Sequence, residues 1–333
     1  MKNKNTFIIL ALVFILLYFT WTSFLNFRMN LDKGDIIIYP NDGFIEIGRN
    51  LYREKIIINP VLFDWYVLFN GAFNKLKPGE YQFDSPMSLK EVVNILVKGQ
   101  NNYLVIPEGY NLFQIETLLK TNNILSDNDS ILSYKVTDFQ GVFEKYPFLR
   151  IAPLDASLEG FLFPDSYIFL KNTPSRDIIL AMLDNFNYKV ANQFTADDNF
   201  YRNLIIASIL EKEIPDVGER KIAADILLRR LKSGIPLGAD ATLCYLKTLY
   251  YQKNVACYPI NSQLKNNESP YNTYKYRGLP PTPICNPGLR SIEAAFNPEP
   301  NEFWYYLSDP LTQNTIFSKT LEEHNKNIQK YLK

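Results

Sequence analysis

The chain has 333 residues, with 35 Lys and Arg against 35 Asp and Glu and a single histidine. That length fits about two domains; 47% hydrophobic content excludes a wholly disordered chain, and zero net charge argues against a nucleic-acid binder. One histidine excludes metal sites that need two, and three cysteines without a CxxC pair exclude a disulfide scaffold or a zinc ribbon. No metal and no cofactor is expected.

No charged residue occurs from Asn5 to Phe27, and Thr6–Leu25 is a continuous apolar run. Twenty residues at ~1.5 Å each span a ~30 Å hydrocarbon core. Phe19, Trp21 and Phe24 crowd the place where a signal peptide would need small residues before its cut. The expectation is a retained single-pass anchor over 6–27, with a cytoplasmic head at 1–5 and a linker at 28–35. The bulk of the chain then lies outside the cytoplasmic membrane, with the lipid bilayer as its first partner.

Ile36–Tyr39 is a β-branched run ending in the turn signal Pro40-Asn41-Asp42-Gly43. Helical stretches follow at Phe44–Glu54 and Pro60–Phe69, then a turn and strand at Lys77–Phe83. Ser88 and Glu91 form a capping box for a helix over Leu89–Lys98, which Gly99 closes. A small α+β module is thus expected within 36–100. Tyr103–Ile106 reads as a strand, and 101–150 as a connecting region of helical pieces.

The last region, 151–333, opens with a helix predicted from Pro174, at its first position, through Phe186. Phe200–Glu213 is apolar all round, the pattern of a buried helix. Gly218–Lys232 is amphipathic, and Thr320 with Glu323 caps a final helix to about Leu332. Cys244 and Cys257 could pair across a short loop, leaving Cys285 free; three buried thiols are the alternative.

Chemistry has few places to reside. A Ser-His or Cys-His nucleophile would have to use His324, and no GxSxG elbow accompanies it, so His324 reads as a surface or packing residue. Glu211 and Glu213 stand near the end of the apolar helix, but residues two apart point to nearly opposite sides and form no carboxylate pair. Pro215 pushes Ile214 out of helical geometry, which leaves Glu213 at the C-terminal edge. The negative end of the helix dipole and apolar neighbours both raise its pKa, as suits a general acid.

Further segments extend the pattern: Leu158-Glu159-Gly160-Phe161, Tyr271-Asn272-Thr273-Tyr274, Gly278-Leu279-Pro280-Pro281 and Glu323-His324-Asn325. With Glu211-Lys212-Glu213 and Ile106-Pro107-Glu108-Gly109, this order resembles the endolytic murein transglycosylase family, the YceG-like group. The resemblance runs over almost the whole chain beyond the anchor. It implies a membrane-anchored lytic transglycosylase that cuts inside peptidoglycan glycan strands, leaves 1,6-anhydro-N-acetylmuramyl ends and limits strand length. It implies a LysM-like subdomain at 36–100 and a mixed α/β catalytic domain at 151–333, α+β overall. Glu213 matches the family's catalytic acid, and Glu159 matches an acid expected in the cleft. Tyr271, Asn272, Tyr274 and Asn286 match substrate-binding loops. Peptidoglycan strands, and association with wall-synthesis enzymes, are the implied partners. The alternative is a non-catalytic wall-binding or scaffold protein using the same groove. Where the family usually reads Asp-Pro-Thr, this chain has Asp240-Ala241-Thr242, and Cys285 replaces a small residue beside the expected groove.

Overall fold

The computed structural model describes residues 34–39, 42–83, 87–99, 103–251, 256–257, 260, 262–309, 311–312 and 314–332. The expected anchor at 6–27 lies outside them; among the described residues no helix is long and apolar enough to cross a membrane. The chain is α+β and divides into two compact units. One comprises the residues up to Leu104 with Ile168–Leu170, and the other Val105–Tyr167 with Lys171–Lys333.

In the first unit, β1 (Gly34–Ile38) pairs antiparallel with β2 (Gly79–Phe83), Gly34 facing Phe83 and Ile38 facing Gly79. Side chains alternate across a strand, so Ile36 and Ile38 turn inward together with Tyr81 and Phe83. They meet α1 (Phe44–Arg53), α2 (Pro60–Phe69) and α3 (Leu89–Lys98), which bury Leu51, Phe63 and Leu96. Two caps are local, and the second was legible in the sequence. Asn59 accepts the Val61 and Leu62 amides ahead of α2, and Ser88 with Glu91 forms the expected capping box of α3. Gly48 lets α1 and α2 approach closely, because a Cβ there would lie 2.8 Å from the Phe63 ring. β1 begins two residues earlier and ends one earlier than the expected Ile36–Tyr39.

In chain order there follow β3 (Tyr103–Val105), α4 (Leu112–Thr121) and β4 (Ser166–Ile168), with β3 and β4 paired. Next come α5 (Ser175–Phe186), α6 (Phe200–Glu213), α7 (Arg220–Lys232) and α8 (Asp240–Tyr251). The short α9 (Ser262–Lys265), α10 (Leu289–Phe296), the antiparallel pair β5 (Tyr305–Ser308) and β6 (Thr315–Ser318), and α11 (Leu321–Tyr331) complete the order of elements. Every described sheet has two strands. The mixed α/β domain expected here is therefore a helical body with short strand pairs.

Helix α6 is the axis of this body. It packs against α7, α8 and α10 and buries every side chain from Asn203 to Leu210. Ser208 fits this apolar helix because its hydroxyl donates to the Ile205 carbonyl at 2.7 Å and accepts the Ile284 amide at 3.0 Å. Phe148, Phe161, Phe186 and Phe200 form a ring cluster at its N-terminal half.

Two helix starts differ from the sequence expectation. Pro174 is the N-cap of α5 in an extended conformation (φ −56°, ψ 138°), not its first helical residue. The capping acceptor is Asp129, which takes both the Ser175 amide (2.8 Å) and hydroxyl (2.6 Å) from 46 residues away. The stretch from Gly218 begins as a tight 3-10 turn, Val217–Glu219, capped by Asp216, and α7 starts only at Arg220.

Candidate active site

Pro215 ends α6 as the sequence predicts: Ile214 is extended (φ −115°, ψ 101°) and Glu213 is the last helical residue. Glu213 opens into a groove of about 980 Å³ in the second unit. Asp240 at the start of α8, Tyr274 from the loop after α9, Tyr305 and Tyr306 of β5, and Arg230 of α7 also line it. The Ser308 hydroxyl donates to the Glu213 carbonyl at 2.8 Å, which ties β5 to the end of α6.

The Glu213 carboxyl has one hydrogen-bond donor among the described residues. The Ala241 N–H donates to Oε1 at 2.7 Å, leaving Oε2 for the groove. Burial is the main cause that pushes its pKa up to about 7; the Ala241 amide pulls it back, and the Asp240 charge raises it further. Asp240 is held in turn by the Tyr274 hydroxyl at 2.6 Å, and Lys265 lies over the Tyr274 ring, 4.7 Å from its centre. Tyr306 keeps its proton, its pKa driven well up by burial and by Glu213.

Glu211 has the opposite surroundings. Its Oε2 accepts from Arg220 (3.1 Å), Ser291 (2.8 Å) and the Gly288 amide (3.1 Å), and both members of the ion pair are buried. It binds α6 to α7 and α10 and does not face the groove.

The other predicted residues separate. Tyr274 shares the groove with Glu213. Glu159, expected in the cleft, is wholly buried: Leu112 N–H (3.1 Å) and Tyr245 hydroxyl (3.0 Å) donate to Oε2, and Asn286 (2.9 Å) to Oε1. Burial pushes its pKa up to about 8 against the pull of those three donors. Asn286 is equally buried and takes the Gly160 and Leu162 amides, both at 2.9 Å, on its side-chain oxygen. Gly160 at φ +91° lies against Pro283, where a Cβ would come to 2.5 Å, so this turn requires glycine. Asn272 is buried too and staples its loop through the Lys265 and Asn267 carbonyls. Tyr271 lies on a separate cavity of about 390 Å³, with its hydroxyl paired to Thr282 at 2.8 Å. Glu159, Asn272 and Asn286 thus brace loops from inside the fold and do not line the groove.

Two further residues, His324 and Cys285, depart from expectation, and the cysteine alternatives are resolved. His324 lines the groove, stacked on Tyr305 at 5.2 Å, with its pKa lowered by burial and by Arg230. Cys285 is buried against α6, its thiol directed to the Ser208 carbonyl at 3.3 Å, and does not line the groove. Cys244 and Cys257 form a disulfide. Sequence reasoning missed Asp240, Ala241 and Tyr306 as neighbours of Glu213. The Asp240-Ala241-Thr242 triplet carried a signal, but a backbone amide leaves none in side-chain chemistry.

A carboxyl whose pKa is raised to about 7, opening into an aromatic and polar groove that Asp240 and Asp309 also line, defines a candidate acid site on an α+β scaffold. The YceG-like family profile matches residues 36–330, and the chain belongs to the YceG-like family. A Bacillus subtilis (strain 168) protein named endolytic murein transglycosylase is 29% identical over 308 residues, covering 86% of this chain and 81% of that protein. One of the same name from Streptococcus pneumoniae (serotype 2, strain D39) is 27% identical over 366 residues; the match spans 99% of this chain and 66% of that relative. Among solved structures, a YceG-like protein of Listeria monocytogenes superposes with a TM-score of 0.57 at 30% identity, covering 89% of this chain and 99% of that one.

Proposed function

We propose that this chain is an endolytic peptidoglycan transglycosylase, held in the cytoplasmic membrane by residues 6–27 with its catalytic unit outside the cytoplasm. It cleaves the MurNAc-GlcNAc bond inside nascent strands, leaves 1,6-anhydro-MurNAc ends and so limits strand length alongside the wall-synthesis enzymes. Family membership and the transglycosylase relatives support the reaction class. The first unit, a strand pair with three helices, suits a LysM-like positioning module.

The carrying observation is Glu213: a partly buried carboxyl with a pKa near 7 that opens into the groove, while the neighbouring Asp240 carboxyl is engaged by the Tyr274 hydroxyl. Ordinary glycosidases need two carboxyl groups. In the transglycosylase reaction the sugar supplies its own nucleophile. Glu213 Oε2 gives its proton to the glycosidic oxygen as the C1–O bond breaks. The 6-hydroxyl oxygen then bonds to C1, and its proton returns to the Glu213 carboxylate. No water is consumed, and tethering of the hydroxyl supplies proximity. Tyr274 and Tyr305 contribute aromatic surface to the groove beside Glu213, with Lys265 over the Tyr274 ring and His324 and Arg230 against Tyr305.

Glu213→Gln keeps the shape and removes the transferable proton. Muropeptide mass spectrometry of digested glycan strands should show anhydro ends falling at least ~10²-fold while circular dichroism stays unchanged. Undiminished cleavage by the variant would remove Glu213 from the mechanism and return the scaffold reading.

A further inference from the structure

Helix α2 breaks the rule that a helix apolar all round is buried. Its sequence, PVLFDWYVLF, has one charged residue, Asp64, and buries Phe63, Tyr66 and Val67 in the core of the first unit. The opposite face is just as apolar and lies open. Val61 is 57% exposed, Trp65 51% and Phe69 74%, with Leu68 beside them and Phe73 just past the helix at 45%. Positions 61, 65, 68 and 69 fall on one helical stripe. Trp65 and Phe69 stack with ring centres 5.3 Å apart, so the patch is continuous. Contiguous apolar surface rimmed by polar residues marks an interaction site.

We propose that this face of α2 docks in the interfacial layer of the bilayer that carries the anchor, and this rests on the anchoring reading above. The chain itself points to that occupant. Between Phe27, where the anchor ends, and Gly34, where β1 begins, lie residues 28–33. Fully extended, six residues reach ~21 Å. A module of this size is roughly 30 Å across, so the tether holds α2 within reach of the membrane surface at all times. At the resulting effective concentration even weak partitioning suffices. The residue types agree, since Trp, Phe and Leu on an uncharged stripe favour the boundary between headgroups and acyl chains. With no basic residue on the stripe, insertion is hydrophobic and insensitive to salt, not an attraction to anionic lipid.

The test uses the full chain carrying Trp21→Phe and Trp304→Phe, which leaves Trp65 as the sole tryptophan. It is reconstituted into phosphatidylcholine vesicles whose acyl chains are brominated either near the headgroup or near the bilayer centre. Shallow bromine should quench Trp65 by more than half and deep bromine much less, with high salt changing neither. Adding Val61→Ser and Phe69→Ser should abolish the quenching. Vesicle-bound protein whose Trp65 ignores both bromines but is quenched by aqueous iodide would overturn the proposal. Shielding from iodide without bromine quenching would overturn it too, in favour of a second protein on this face. Protein that fails to float with vesicles would instead remove the anchoring reading, and this one with it.

Discussion

Glu211 and Glu213 are two positions apart in one helix and have opposite chemistry, because α6 turns them toward different neighbours. Glu211 faces Arg220, Ser291 and the Gly288 amide, which hold it as a buried ionic brace. Removing one partner of a buried pair leaves the other charge uncompensated, at a cost of about 3–5 kcal/mol. Glu211→Ala should therefore lower urea-melting stability by that order. Glu211→Gln, which keeps an acceptor for Ser291 and Gly288, should cost less, and the fraction that stays folded should retain its cleavage rate. Equal stability of Glu211→Ala and the native chain would mean that the brace is not formed. At this scale the sequence was half legible. Pro215 and the apolar run located Glu213, whereas the identity of Glu211 as a brace depends on Arg220 and Ser291, which no local pattern ties to it. Glu159 shows the same limit: its type and motif suggested a cleft, and only packing reveals Leu112, Tyr245 and Asn286 closing around it.

Elements were read best where their signals are local. The boundaries of α2, α3 and α6 follow from Asn59-Pro60, the Ser88 capping box and Pro215, all within a few residues of the helix they define. The start of α5 was misread because its cap, Asp129, is distant in sequence. Helix α8 matters most for the chemistry, since its second residue supplies the Ala241 N–H that grips Glu213 Oε1. That bond favours the carboxylate and opposes burial and Asp240. Proline lacks the N–H and is tolerated in a helix's first turn, so Ala241→Pro deletes this single donor. The Glu213 pKa should rise by roughly one unit. A general acid works while protonated, so the alkaline limb of kcat/KM, expected near pH 7 in the native enzyme, should move to higher pH. Ala241→Gly retains the N–H and should leave the limb in place. A limb unmoved in folded Ala241→Pro would show that the amide does not govern the acid.

For the molecule as a whole, Glu159 and Glu213, the two carboxyl groups of the second unit with the largest upward shifts, tie stability to pH in an unusual direction. Most paired carboxylates have depressed pKa values and lose stability as pH falls; Asp129, held down chiefly by the Ser175 hydroxyl, is of that kind. Glu159 is the reverse, with a folded pKa of about 8 against an ordinary 4.5. Between those values the native state keeps a proton that the unfolded chain has lost. Stability from this group is thus complete below about pH 4.5, declines as pH rises and has gone above about pH 8. The shift is worth on the order of 5 kcal/mol across the window, and Glu213 adds to it with the same sign up to about pH 7. Glu159→Gln is neutral at every pH and similar in shape. It gives up an acceptor for one of the three donors, so it should be the less stable form near pH 5. By pH 8.5 it should have gained ground on the native chain, because only the native chain must then bury a charge. Scanning calorimetry from pH 5 to 8.5 should show the melting temperature of the second unit falling in the native protein and falling much less in a chain carrying both Glu159→Gln and Glu213→Gln. Parallel slopes in the two proteins would mean that Glu159 and Glu213 ionise in the folded state as readily as in water, with their donors offsetting burial.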